Sequence, residues 1–150
     1  MNTIKTKLPG VKEIKWVDCQ KLQRRVDLQA ICMAPVPVLT EQHSIEFFGE
    51  VECSSKYEKK SGMSQVTANL QFKTSEELPT HVRLGFVVTD VVGCKWLIGS
   101  KEPPYPQITM TRNSGTAQGE PAALTYEITH VAIKTMMLCE GGRKCKYFVY

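Results

Sequence analysis

No stretch of this 150-residue chain is apolar over the length that a membrane-spanning helix requires, so a helical membrane protein is excluded. The chain opens without the charged, apolar and small-residue succession of a secretion signal, so it is expected to stay where it is made unless an assembly carries it out. Chemistry-bearing motifs are missing too. There is no Gly-x-Ser-x-Gly for a nucleophile elbow, no Gly-x-x-x-x-Gly-Lys to cradle phosphate and no His-Glu-x-x-His to hold zinc. No close Cys-x-x-Cys pair exists, since Cys139 and Cys145 are separated by five residues with no second pair nearby. We therefore expect a protein that is not an enzyme and that has no metal and no cofactor. No internal repeat points to a solenoid.

What is present is ordinary for a globular domain: 42% hydrophobic and 23% charged residues, enough for one hydrophobic core. Six cysteines without a secretion signal are expected as buried free thiols rather than as a disulfide framework. The net charge of +4 is modest, but positive residues gather at the two ends. Lys5, Lys7, Lys12, Lys15, Lys21, Arg24 and Arg25 lie early, and Arg143, Lys144 and Lys146 lie late. Such ends suit an acidic surface or nucleic acid, although solvated faces carry the same charges.

Residues 1–10, closed by Pro9-Gly10 and poor in apolar side chains, read as a flexible N-terminal arm that orders against a neighbour. Residues 11–150 read as a single β domain. A half-buried strand over 11–17 places Trp16 inward. Asp18 then caps a short helical turn, and a strand follows it before Pro35 and Pro37 break regular pairing. The clearest pattern is a hairpin. Ile45, Phe47, Val51 and Cys53 alternate with Glu46, Phe48, Glu50 and Glu52, and Val66, Ala68, Leu70 and Phe72 alternate with polar residues. Lys59-Lys60-Ser61-Gly62 supplies the turn between them.

Thr74 to Pro79 reads as one capped helical turn, and the apolar run that follows as a second hairpin turning at Asp90-Val91-Val92-Gly93. Ile108 and Met110 mark a short strand ahead of a polar loop over 113–123. Between Leu124 and Leu138 the apolar phase changes near His130, which suggests a β-bulge. Gly141-Gly142 then turns the chain into a terminal strand. Short strands joined by turns define the expected fold: mainly β, an antiparallel sandwich or barrel with at most one or two short helices.

His43, His81 and His130 are expected as partly buried side chains satisfied by hydrogen bonds. Glu46, Glu50 and Glu52 share a wet strand face, which cannot raise a carboxyl pKa as a hydrolytic cleft does. Trp16, Phe47, Phe72, Phe86 and Trp96 fall on the inward phase and read as core. Tyr105, Tyr147 and Tyr150 are the aromatics placed for outside contact. The loop over 99–106 contains three prolines, which restrict its backbone and lower the entropy lost on docking.

Three stretches of the second half carry a resemblance. Leu84-Gly85-Phe86-Val87-Val88-Thr89-Asp90, Trp96-Leu97-Ile98-Gly99-Ser100-Lys101-Glu102-Pro103-Pro104-Tyr105-Pro106 and Leu124-Thr125-Tyr126-Glu127-Ile128-Thr129-His130 together resemble small structural proteins of tailed phages and prophages, especially tail-associated ones. The resemblance implies a virion component made in the host cytoplasm, repeated in a ring or tube of the tail or neck. It would contact itself and other virion structural proteins through loops and terminal arms, and no catalytic residue carries over. The interface residues this selects are Lys5 and Lys7 of the arm and Pro103, Pro104, Tyr105 and Pro106 of the loop. Two alternatives stand beside it: an intracellular β-rich adaptor that adds a partner strand to the 45–72 hairpin, and a nucleic-acid-binding protein that uses its basic ends.

Overall fold

A computed structural model of the chain describes residues 2–7, 10–24, 36–38, 40–113 and 123–139. Their regular elements are strands apart from one short 3-10 turn. The strands are β1 Asn2–Lys7, β2 Val11–Asp18, β3 His43–Ile45, β4 Phe47–Lys60 and β5 Met63–Thr74, then β6 Leu84–Asp90, β7 Lys95–Ile98, β8 Gln107–Asn113, β9 Ala123–Ala132 and β10 Met137–Leu138. Two five-stranded sheets, β1-β4-β5-β9-β8 and β10-β7-β6-β2-β3, pack as an antiparallel β-sandwich.

Hairpin β4–β5 forms as its alternation dictates. Lys60 faces Met63, leaving Ser61 and Gly62 as a two-residue turn, both with positive φ of 50° and 80°, the geometry that matches strand twist. Between Phe48 and Glu52 the chain advances four residues while its partner moves from Lys73 to Gln71. Because the surplus is even, the inward phase of Phe47 resumes at Cys53, which explains why the bulge is silent in the pattern. Both strands of the hairpin are already partnered, β4 by β1 over Ser54–Lys59 and β5 by β9. The strand-addition route expected for an adaptor is therefore occupied over Ser54–Lys59 of β4 and along β5.

Leu70, Phe72, Ile128 and Tyr126 of the first sheet meet Ile14, Phe86, Val88 and Trp96 of the second in the sandwich core. Alternate residues of the second sheet point the other way. Val17, Val87, Leu97 and Met137 pack there with Cys19, Leu22, Val36 and Cys139, so one sheet is buried on both faces. That is why β6 is a continuous apolar run and not an alternating one.

Several expectations are corrected. Residues 2–7, read as part of an arm, pair with β4 as an edge strand, using backbone groups that need no apolar side chain. No bulge occurs at His130, since β9 keeps its register and Leu124, Tyr126, Ile128 and His130 are all buried in one phase. Val131 and Ile133 are left outside. Thr74 to Pro79 is not a helical turn. Thr74 Oγ1 donates to Glu46 O and accepts from Glu76 N, and this local bond competes with the helix. The Asp18 cap does form, accepting from Gln20 N above the 3-10 turn Cys19–Lys21. The ends of the expected 113–123 loop, Asn113 and Ala123, belong to β8 and β9, while residues 114–122, the strand expected after the 3-10 turn, the terminal strand, Tyr147 and Tyr150 lie outside the described residues.

Candidate interface at the proline loop

The loop 99–106 joins β7 to β8 across the sandwich. It leaves β7 at Gly99, whose φ of +131° strains any other residue, and a Cβ placed there would come within 3.1 Å of the Cys19 sulfur and of Gly85 Cα, a tight fit. Ser100 Oγ then donates to Glu102 O at 2.7 Å, closing the first bend. The Pro103-Pro104 bond is cis. Pro103 and Pro104 are exposed, whereas Tyr105 and Pro106 are half-buried.

Tyr105 does not project outward. Its hydroxyl donates to Lys101 O at 3.0 Å and accepts from Gln20 Nε2 at 3.1 Å, while the Arg83 guanidinium lies 4.3 Å over its ring. The side chain packs on the outer apolar layer of the second sheet. The expectation of a freely presented aromatic is thus corrected: two hydrogen bonds and a cation over the ring hold Tyr105 on its own chain, where it fixes the loop.

A second anchor comes from β9. His130 Nε2 donates to Pro104 O at 2.9 Å. A carbonyl only accepts, so in the neutral ring Nδ1 is the acceptor and takes the Thr135 hydroxyl proton. His130 and Thr135 are fully buried. Desolvation holds the His130 pKa below its ordinary 6.5, partly offset by the Pro104 carbonyl. The unfolded chain therefore binds a proton as pH falls through 6.5 while the folded chain still does not, so stability is present above that value and is lost as pH drops toward the folded pKa. Between pH 7 and pH 5 the urea midpoint is expected to fall more steeply for the parent than for a His130→Gln variant. Equal slopes would remove His130 as the cause.

Between the loop and the end of β9 lies a cleft of about 290 Å³, lined by Ser100, Glu102, Pro103, Pro104, Ile133 and Lys134 among others. Ile133 is 67% exposed and Val131 40%. Burial pushes the Lys134 ammonium below its usual range.

Lys5 and Lys7 are placed elsewhere. They sit on β1, with register partners Lys56 and Ser54, and β4 and β5 separate β1 from β9. Three strand spacings put that edge roughly 14 Å from β9, so the expected interface divides into two surfaces.

The remaining residues singled out by the sequence scatter. His43 stacks on Trp16 with ring centroids 4.1 Å apart, and His81 is exposed rather than partly buried. Glu46, Glu50 and Glu52 are exposed, on the wet face expected of them. Among the described residues no His, Cys, Asp and Glu side chains group closely enough to hold a metal ion.

Cys19, Cys53 and Cys139 are buried free thiols, pushed by burial up to about 11, 12 and 12. Cys94 is disulfide-bonded, and its partner lies outside the described residues. This corrects the expectation of six reduced thiols. A disulfide requires two Cα atoms within about 7 Å, a proximity that chain spacing does not reveal. Comparison of the chain with protein families, with curated proteins and with solved structures finds no match.

Proposed function

We propose that the chain is a non-enzymatic structural component of a virion, of the tail or neck type, that works by self-association and by contact with other structural proteins. The observation that carries this reading is the proline loop: it is held from one side by Tyr105 and from the other by His130, and it offers Pro103 and Pro104 beside exposed Ile133. A surface already rigid before contact loses little entropy on docking, which suits a part repeated many times in an assembly. The disulfide at Cys94 is in keeping with a working life at a virion surface, away from reducing conditions.

The test is light scattering and negative-stain imaging of the full chain over a concentration series, alone and with the other structural proteins of its particle. Rings, tubes or joint assemblies are expected, weakened by Ile133→Lys with the fold unchanged. A parent that stays monomeric throughout overturns the reading.

A further inference from the structure

We propose that the outer edge of β8 is a self-pairing surface on which a second copy of the chain docks antiparallel, Met110 facing Met110, so that two sheets become one. This names the contact for the self-association proposed above and rests on that reading. Edge strands expose a row of unpaired backbone groups, and proteins normally blunt them by shortness, lysine, proline or a bulge. The other edges follow that rule. β3 has three residues, β10 two, and β1 carries Lys5 and Lys7. β8 has seven residues, no lysine, no proline and no register shift, and among the described residues it pairs with β9 alone.

A side-chain observation points the same way. Ile108 and Met110 stand opposite Ile128 and Tyr126, both buried, so they lie on the core face of the sheet. Yet Met110 is 39% exposed, and both residues line an open cleft of about 230 Å³ with Leu78, Val82, Leu84 and Tyr126. The core is left unfinished along this edge. A second β8 would extend the sheet and bring its own Met110 and Ile108 to the same apolar seam.

The sequence of β8 suits its own copy. Antiparallel pairing about Met110 sets Thr109 against Thr111 of the second copy twice, a favourable cross-strand pair. Ile108 meets Arg112, whose aliphatic stem can cover it. Arg112 and its mate then lie four residues apart, about 13 Å, beyond the Debye length of roughly 8 to 10 Å in ordinary salt. Pairing β8 with β1 of a neighbour fits less well. The two strands run the same way within the sheet, so head-to-tail copies would pair them parallel, the weaker ladder, and would set Arg112 on the edge that carries Lys5 and Lys7.

Sedimentation velocity of the full chain across concentration tests the pairing. The parent is expected to dimerise. Thr109→Lys with Thr111→Lys, both at exposed positions, places like charges directly opposite and should weaken the dimer about tenfold or more. Thr109→Glu with Thr111→Glu should do the same. Mixing the two double variants should restore a heterodimer, because every Lys then faces a Glu. Variants that dimerise like the parent, or a mixture that stays monomeric, overturn the pairing while self-association stands. A parent that is monomeric overturns both. Amide exchange in the parent is a readout independent of any variant: protection across Gln107–Asn113 should rise with concentration, and its absence in the associated state overturns the pairing.

Discussion

Replacing Asp90 by Ala is expected to lower the unfolding free energy by about 3 to 5 kcal/mol, read from urea or guanidinium midpoints at unchanged m-value. The side chain is fully buried at the end of β6. Its Oδ1 accepts from Val92 N, Gly93 N and Cys94 N at 2.9 to 3.0 Å, and its Oδ2 accepts from Trp96 Nε1 at 3.3 Å. One carboxylate therefore closes the β6–β7 turn and ties it to the largest side chain of the core. In the variant, Val92 and Gly93 can turn to water at the surface. Cys94 N and the indole N–H are buried and lose this acceptor away from water, and each such loss costs about 1 to 3 kcal/mol. Asp90→Asn keeps one oxygen for the backbone donors but turns an NH₂ toward the indole N–H, so a smaller loss of about 1 to 2 kcal/mol is expected. Equal losses for Ala and Asn would mean that the tie to Trp96, not the turn, dominates.

Asp90 also shows where reading the sequence stops. Asp followed by Val-Val-Gly marks a turn, because an aspartate oxygen reaches backbone N–H groups two to four residues ahead. Its reach to Trp96 depends on the hairpin register, which only the folded sheet supplies. The β4–β5 hairpin is legible apart from its bulge, since one buried face imposes a period of two and Ser61-Gly62 accepts positive φ. β1 is not, because its ladder with β4 is made by the backbone and leaves no side-chain signature. At His130 a polar residue sits at a core position between outward-facing β-branched neighbours, so the apolar pattern changes phase although the strand does not.

The interface expectation divided for a similar reason. Tyr105 between two prolines reads as a presented aromatic until Arg83 and Gln20, distant in sequence, are seen to hold it. What the loop presents instead is its proline pair. β8 is legible as a short strand from Ile108 and Met110, but its position at a sheet edge, seven residues without a lysine or proline, is reported by no pattern.

Phe72→Ala is expected to cost about 3 to 5 kcal/mol, enough to unfold a domain of ordinary stability, in the same denaturant measurement. Phe72 is fully buried on β5, the central strand of the first sheet. Its ring stacks on Tyr126 of the neighbouring strand at 5.5 Å and meets Phe86 of the opposite sheet edge-on at 6.2 Å. Truncation leaves a void between two sheets that are each fixed by their own ladders, so little collapse can fill it. It also releases Tyr126, whose hydroxyl accepts from Leu78 N at 2.9 Å and so holds the chain leading to β6. Phe47 shares the inward phase, and from the sequence its truncation would cost as much. The structure places it half-buried beside the bulge, where the chain already departs from regular pairing and can close over a smaller side chain. Phe47→Ala is therefore expected to cost about half as much as Phe72→Ala, and Phe48→Ala, on the wet face, under about 1 kcal/mol. Equal losses at positions 47 and 72 would show that the bulge is as rigid as the centre of the sheet, and a loss at 48 larger than at 47 would reverse the assigned phase of β4.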